Sequence, residues 1–178
     1  MSTKFNTQSA LDLPPVIKQL GPTATGIEIG VWMGTNIGYL LQECDNISML
    51  YGVDPYEPYQ DWNRFIDQNM MDDARRSAEN IISQFPDRGQ LIVGTSAEAR
   101  SQCKEFVDFV FIDGDHSYEC CYSDLNLWYD AVRPGGLFAG HDFTLPGVNK
   151  AIAQFRKENN IKGFFKVVRN DTWYWIKE

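Results

Sequence analysis

"FVFIDGDHSYE", residues 109–119, carries four apolar residues, Phe109 to Ile112, straight into Asp113, Asp115 and His116. An unbroken apolar run of this length reads as a strand buried on both faces, which belongs in a parallel sheet held between two helix layers. Acids placed directly after such a strand must be solvated, hydrogen-bonded or paired. In doubly wound sheets ligands bind at the carboxyl ends of the strands, beside the point where the strand order reverses. The stretch therefore points to the strand ends as the place to look for chemistry.

Working outward, the same alternation recurs. A short helix through "VIKQL" stops at Gly21 and Pro22, and "GIEIG" (26–30) is the first strand. "TNIGYLLQEC" has helical spacing with Ile37, Leu40, Leu41 and Cys44 on one face, and "SMLYGVD" is a second strand. After the polar and aromatic stretch "PYEPYQDWNRF", a helix runs from about Asp67 to Phe85, then strand "QLIVGT" and short helix "AEARSQC". Beyond the opening strand come helix "YECCYSDLNLWYDAV", strand "GLFAGHD" and helix "PGVNKAIAQFRKEN". "GFFKVVRN" and "DTWYWIKE" close the chain as a hairpin turning at Asn170 and Asp171. The expectation is an α/β fold: a Rossmann-like, doubly wound, mostly parallel seven-stranded sheet with a C-terminal antiparallel hairpin.

Length and charge narrow the function classes. At 178 residues the chain is the size of one domain, and no apolar run is long enough for a bilayer span. Its 16 basic and 24 acidic residues give a net charge of −8, which repels nucleic acid and anionic membranes. "MSTKFNTQSA" lacks the layout of a secretion signal, so a cytoplasmic protein is expected. Cys44, Cys103, Cys120 and Cys121 lack metal-site spacing and read as reduced, mostly buried thiols.

The strand ends supply the candidate residues. "EIGVWMGTN" places Glu28, Gly30 and Gly34 in the pattern E-x-G-x-x-x-G before a helix, a turn that permits close backbone approach by a ligand, or a plain β-α turn. It has one glycine fewer than the dinucleotide fingerprint and holds bulky Trp32 and Met33, so a pyrophosphate fits poorly. Asp54 can accept both hydroxyls of a ribose, or open a turn before Pro55. Ser96 either caps the following helix or faces an adenine edge. Asp113 with His141 and Asp142, on neighbouring strand ends, suits magnesium or another divalent cation, or else the His-Asp pair caps its own loop. Asp115 and His116 are the candidates for removing a proton, Asp115 being equally a helix cap. Tyr56, Tyr59, Trp62 and Phe65 crowd the mouth as lid or packing, and Trp128, Trp173 and Trp175 read as core or interface, the hairpin aromatics hinting at a homodimer.

With these pieces in place the chain resembles class I S-adenosylmethionine-dependent methyltransferases. "FIDGDHSYE", "PGG", "GHD" and "PGV" are similar to the small group that includes macrocin O-methyltransferase-like and cephalosporin-hydroxylase-like proteins. The resemblance implies one S-adenosylmethionine-binding domain over residues 1–178, with 1–25 as an arm and short helix. It implies that Glu28, Gly30 and Gly34 flank the cofactor's methionine part, that Asp54 holds its ribose, that Ser96 and Ala97 lie near adenine, and that Asp113 borders it. Metal-dependent relatives place acidic or amide ligands where Asp113, His141 and Asp142 stand, so His141 is a departure, and they place a proposed base at the position of Asp115. The implied reaction is methyl transfer to a hydroxyl of a small molecule or sugar. The competing readings are a nicotinamide-dependent oxidoreductase on the same sheet and a non-catalytic cofactor-binding domain.

Overall fold

The computed structural model describes Phe5, Thr7 and residues 9–61 and 64–178. Its elements are α1 (Pro14–Ile17), β1 (Ala24–Ile29), α2 (Thr35–Glu43), β2 (Ile47–Asp54), β3 (Tyr59–Asp61), β4 (Arg64–Ile66), α3 (Gln68–Ile82), β5 (Gly89–Val93), α4 (Ser96–Gln102), β6 (Val107–Ile112), α5 (Tyr118–Trp128), β7 (Val132–Gly140), α6 (Pro146–Glu158), β8 (Lys166–Val167) and β9 (Trp173–Ile176). Seven strands form one sheet in the order β5-β2-β1-β6-β7-β9-β8. The first five in that order are parallel, β9 runs antiparallel to β7, and β8 antiparallel to β9. The expected mixed seven-stranded sheet is what the chain adopts.

The apolar run that opened the reading is explained by its two coverings. Phe109 and Phe111 of β6 face the layer holding Ile37, Leu40 and Leu41 of α2 and Ala74 and Ala78 of α3. Val110 and Ile112, alternating with them, face Leu125 and Trp128 of α5 and Ile152 and Phe155 of α6. The chain builds outward from β1 to β2 and β5, then crosses back to β6 and β7, so the order reverses between β1 and β6. A crevice opens there.

The structure refines three expectations. Of the core-or-interface reading of Trp173 and Trp175 the core half holds: they stack at 5.4 Å against the α6 layer and are fully buried, so the hint of a dimer does not come from them, while Phe164 of the same segment is 75% exposed. Only Cys44 and Cys121 of the four free thiols are buried; Cys103 is half-buried and Cys120 exposed. The stretch after Asp54 forms the small antiparallel hairpin β3-β4, too short for its periodicity to be read. Within it Tyr56 is buried, Phe65 is 61% exposed, and Trp62 lies outside the described residues.

Candidate active site

β1 ends at Ile29, and Gly30 turns the chain with φ +84°. A side chain at Gly30 would come within 2.1 Å of the Asp113 carbonyl oxygen, and at Gly34, with φ +80°, within 2.7 Å of Ala78 Cα. Both glycines thus allow the protein to approach itself, Gly30 against the end of β6 and Gly34 against α3. That differs from the sequence expectation of approach by a ligand. Gly30 still borders the crevice, while Gly34 lies outside the lining of both cavities described below.

Asp54, at the end of β2, holds this turn in shape. Its Oδ2 accepts from the backbone N–H groups of Val31 and Trp32, both at 3.0 Å, and its Oδ1 from Tyr56 N–H at 2.9 Å. Burial raises its pKa, opposed by those three hydrogen bonds. Trp32 and Asp142, two of the six non-glycine residues with positive φ among the described residues, both line the crevice.

Two adjoining cavities fill the crevice. The smaller, about 260 Å³, is lined by Thr7, Ser9, Glu28, Trp32, Thr35 and Asn36 among others. Glu28 is 1% exposed, and neither carboxylate oxygen has a hydrogen-bond partner among the described residues. The Asn36 amide is near enough to favour the charged form of Glu28, yet its Nδ2 forms no hydrogen bond of acceptable geometry, so both groups stand unpaired. Desolvation first, and then the charge of Asp113, push the Glu28 pKa well above the usual carboxylate range. Asn36 uses its oxygen on the amino-terminal arm, accepting from Thr7 Oγ1 at 3.1 Å and Ala10 N–H at 3.2 Å. The arm is fastened further by Asp12 with Arg169 and by the Thr172 hydroxyl on the Ser9 carbonyl.

The larger cavity, about 620 Å³, takes in the ends of β1, β2, β5, β6 and β7. Glu28, in the smaller cavity, and Asp54, Ser96, Ala97, Asp113, Asp115, His116, His141 and Asp142, in the larger, are therefore brought to one crevice. Six carboxylates, Asp54, Glu57, Asp113, Asp115, Asp124 and Asp142, line the larger cavity, with no lysine or arginine among the described residues.

At the β6 and β7 ends, ligand atoms of Asp113, His141 and Asp142 all lie within 4.8 Å of one another. His141 Nδ1 is 3.1 Å from Asp142 Oδ2 and 3.6 Å from Asp113 Oδ1. Its Nε2 is buried without a well-formed hydrogen bond, although the Asn170 backbone is close enough to raise its basicity. Burial lowers the His141 pKa, but Asp142 and Asp113 outweigh it and the net shift is upward. Burial pushes Asp113 up to about 6 against the pull of His141. Burial also acts upward on Asp142, yet hydrogen bonds from His116 and His141 hold it well below the usual carboxylate range. His116 Nε2 donates to Asp142 Oδ2 at 2.9 Å. Asp115 instead accepts from Ser117 N–H at 2.7 Å, and Ser117 caps α5, so Asp115 shapes the turn but is not the cap.

Ser96 is not a cap either: Thr95 closes a capping box with Glu98. The Ser96 hydroxyl joins Asp124 Oδ1 at 2.5 Å and accepts from Trp128 Nε1 at 2.8 Å. Asp124 is a site residue that the sequence reading passed over. Its signal was an acid four residues after Cys120, beside the apolar stripe Cys121, Leu125 and Trp128.

A sequence profile of the methyltransferase domain matches residues 27–143, 117 of the 178 residues, spanning every strand end just described. The chain belongs to the methyltransferase-domain family. It is a class I S-adenosylmethionine-dependent methyltransferase, which sets aside the nicotinamide reading. Among solved structures, this methyltransferase is similar to the O-methyltransferase NovP, at 17% identity and TM-score 0.68 over 97% of this chain and 83% of that one. It is similar to the calicheamicin methyltransferase CalS11, at 13% and 0.68 over 92% and 76%. An O-methyltransferase from Bacillus cereus in complex with SAH gives 14% and 0.65 over 96% and 82%. These likenesses are of fold. "Uncharacterized protein R132" of Acanthamoeba polyphaga mimivirus is 36% identical over 58 residues, 28% of this chain, and the match spans about a quarter (26%) of that protein's length. No helix among the described residues is long and apolar enough to cross a membrane.

Proposed function

We propose that this methyltransferase, one domain over residues 1–178, methylates a hydroxyl on an uncharged or cationic small molecule, a sugar or sugar-bearing metabolite being the first class to test. The observation that carries the reading is the pair of adjoining cavities. Unpartnered Glu28 and the Asn36 amide fit an amino-acid group, carboxylate to ammonium and amide N–H to carboxylate, because buried polar groups require partners. The larger cavity, within the usual range for ligand sites, fits the nucleoside between Asp54 and the Ser96-Ala97 corner, with Asp113 bordering the join. CalS11 is a TDP-rhamnose 3'-O-methyltransferase, which supports a sugar hydroxyl as acceptor class; its diphosphate would be repelled by the six carboxylates of the larger cavity here, so the acceptor proposed for this chain is a sugar without that group.

S-adenosylmethionine supplies an electrophilic sulfonium methyl, so the work left to the chain is alignment and proton removal. The walls orient the acceptor, and His116 takes its hydroxyl proton as the new carbon–oxygen bond forms. Asp142 positions His116 through the 2.9 Å hydrogen bond. Asp113, His141 and Asp142 would hold a divalent cation; two carboxylates with an imidazole suit manganese better than magnesium, and such an ion acidifies a nearby hydroxyl.

Incubation with methyl-labelled S-adenosylmethionine and a panel of hydroxylated acceptors is expected to place label on an acceptor oxygen and release S-adenosylhomocysteine. Failure of the protein to bind S-adenosylhomocysteine in a calorimeter removes the reading. Manganese titration of the wild type should give binding heat that Asp113→Asn abolishes; a wild type giving none removes the cation.

A further inference from the structure

Asp124 has no part in the chemistry above, yet it stands 7% exposed in the wall of the larger cavity. The direction of its hydrogen bonds is forced. An indole N–H can only donate, so Trp128 donates to Ser96 Oγ, and the Ser96 proton must point at Asp124 Oδ1. Asp124 is thereby held as an acceptor. Its other oxygen, Oδ2, accepts no hydrogen bond among the described residues and lies on the Gly114 side, where even a methyl group on Gly114 would stand 3.6 Å from it. Burial pushes the Asp124 pKa up to about 6 against the Ser96 hydrogen bond, and Asp115, another acid, is the charged neighbour acting on it. A carboxylate nine-tenths buried, fixed through one oxygen and open through the other, calls for an N–H donor arriving through the cavity. Around that opening Ala97, Cys120 and Leu127 offer small or apolar surface suited to the edge and faces of a flat ring.

We infer that Asp124 Oδ2 accepts from the exocyclic amine of the cofactor's purine, making Asp124, positioned by Ser96 and Trp128, the residue that selects a 6-aminopurine over a 6-oxopurine. The inference rests on the nucleoside lying in the larger cavity as proposed above. A 6-oxo group in the same place would set a carbonyl oxygen against a carboxylate, leaving both unpaired. The wall also predicts how the preference reverses. In Asp124→Asn the Ser96 hydroxyl still needs an acceptor, so the amide oxygen keeps the Oδ1 place and Nδ2 turns to the ligand as a donor, which favours the 6-oxo group.

Calorimetric titration with S-adenosylhomocysteine and with its deaminated analogue, S-inosylhomocysteine, tests this without turnover. The wild type is expected to bind the adenosyl compound about 10- to 100-fold more tightly. Asp124→Asn should bring that ratio to one or below, and Ser96→Ala, which frees the carboxylate, should shrink it, with a lower Tm because the buried Trp128 N–H loses its acceptor but with a single cooperative melt that shows the protein folded. A wild type that binds both compounds within twofold overturns the inference while leaving the cofactor reading intact. So does a ratio retained in a folded Asp124→Asn protein; if that variant fails to fold, the wild-type and Ser96→Ala ratios decide. Absence of binding to either compound by the folded wild type brings down both.

Discussion

Glu28→Gln should raise the stability of the ligand-free protein and lower its affinity for the cofactor product. Glu28 is fully buried, neither oxygen has a well-formed hydrogen bond among the described residues, and its folded-state pKa lies well above the ordinary 4.5. Below pH 4.5 the carboxyl is protonated folded or unfolded, and burial as the neutral acid carries no titration penalty. As pH rises past 4.5 the unfolded chain releases the proton while the folded chain retains it, so stability falls by about 1.4 kcal/mol per pH unit until the folded pKa is reached. Glutamine removes that slope. At pH 7 the variant should be more stable by at most about 3.4 kcal/mol, that slope carried from pH 4.5 to 7, since the glutamine amide is itself as unpartnered as the protonated acid; for a chain of this size that is a rise of up to about 14 °C in Tm. Near pH 4.5 the two proteins should melt together. Binding moves the other way: loss of a charge-assisted hydrogen bond to an ammonium group weakens S-adenosylhomocysteine about 10- to 100-fold. Thermal melts from pH 4.5 to 8, with calorimetry at pH 7, read both effects. A Glu28→Gln protein that is less stable at pH 7, or that binds the product as tightly as wild type, refutes the assignment of Glu28 as a ligand group held at the expense of stability.

Gly30→Ala forces a side chain to within 2.1 Å of the Asp113 carbonyl at φ +84°, and should cost about 2–4 kcal/mol in urea unfolding; a near-wild-type midpoint would contradict the turn geometry. His116→Ala should lower kcat about 10²- to 10⁴-fold and leave S-adenosylhomocysteine affinity within a few fold, and a parallel loss of affinity would assign His116 to binding instead. With six carboxylates and no lysine or arginine among the described residues lining the larger cavity, a neutral sugar should have kcat/KM at least about 10-fold above its phosphorylated form; the reverse order would overturn the charge argument.

What the sequence makes legible here is local. Apolar runs, helix stops and acids placed directly after strands act over a few residues, and they locate the sheet and five of its strand ends. The features that needed coordinates depend on partners far along the chain. Gly30 and Gly34 stand out in sequence, but the atoms that require them belong to Asp113 and Ala78. Asp124 reads as one more helical acid until Ser96, 28 residues earlier, and Trp128 give it a direction. The hairpin aromatics look like an interface because a terminal strand is exposed by default, whereas the α6 layer covers Trp173 and Trp175 and the opposite layer covers Tyr174.

Asp54 shows how a local signal and a functional one converge on the same atoms. The turn reading and the ribose reading were alternatives in the sequence, and the structure gives three backbone N–H groups to the carboxylate, two on Oδ2 and one on Oδ1. A carboxylate accepts about four hydrogen bonds. One place remains, on Oδ1, so Asp54 can take one ribose hydroxyl at full geometry, and the second must find another acceptor. Asp54→Asn would therefore strike the turn before the ligand: the amide cannot accept on both sides, at least one N–H of Val31, Trp32 or Tyr56 loses its partner, and the loop that shapes both cavities loosens. Removing Asp54 should thus lower Tm and cofactor affinity together, whereas at Glu28 Tm rises as affinity falls. The contrast separates a carboxylate that builds the site from one that waits in it for a ligand.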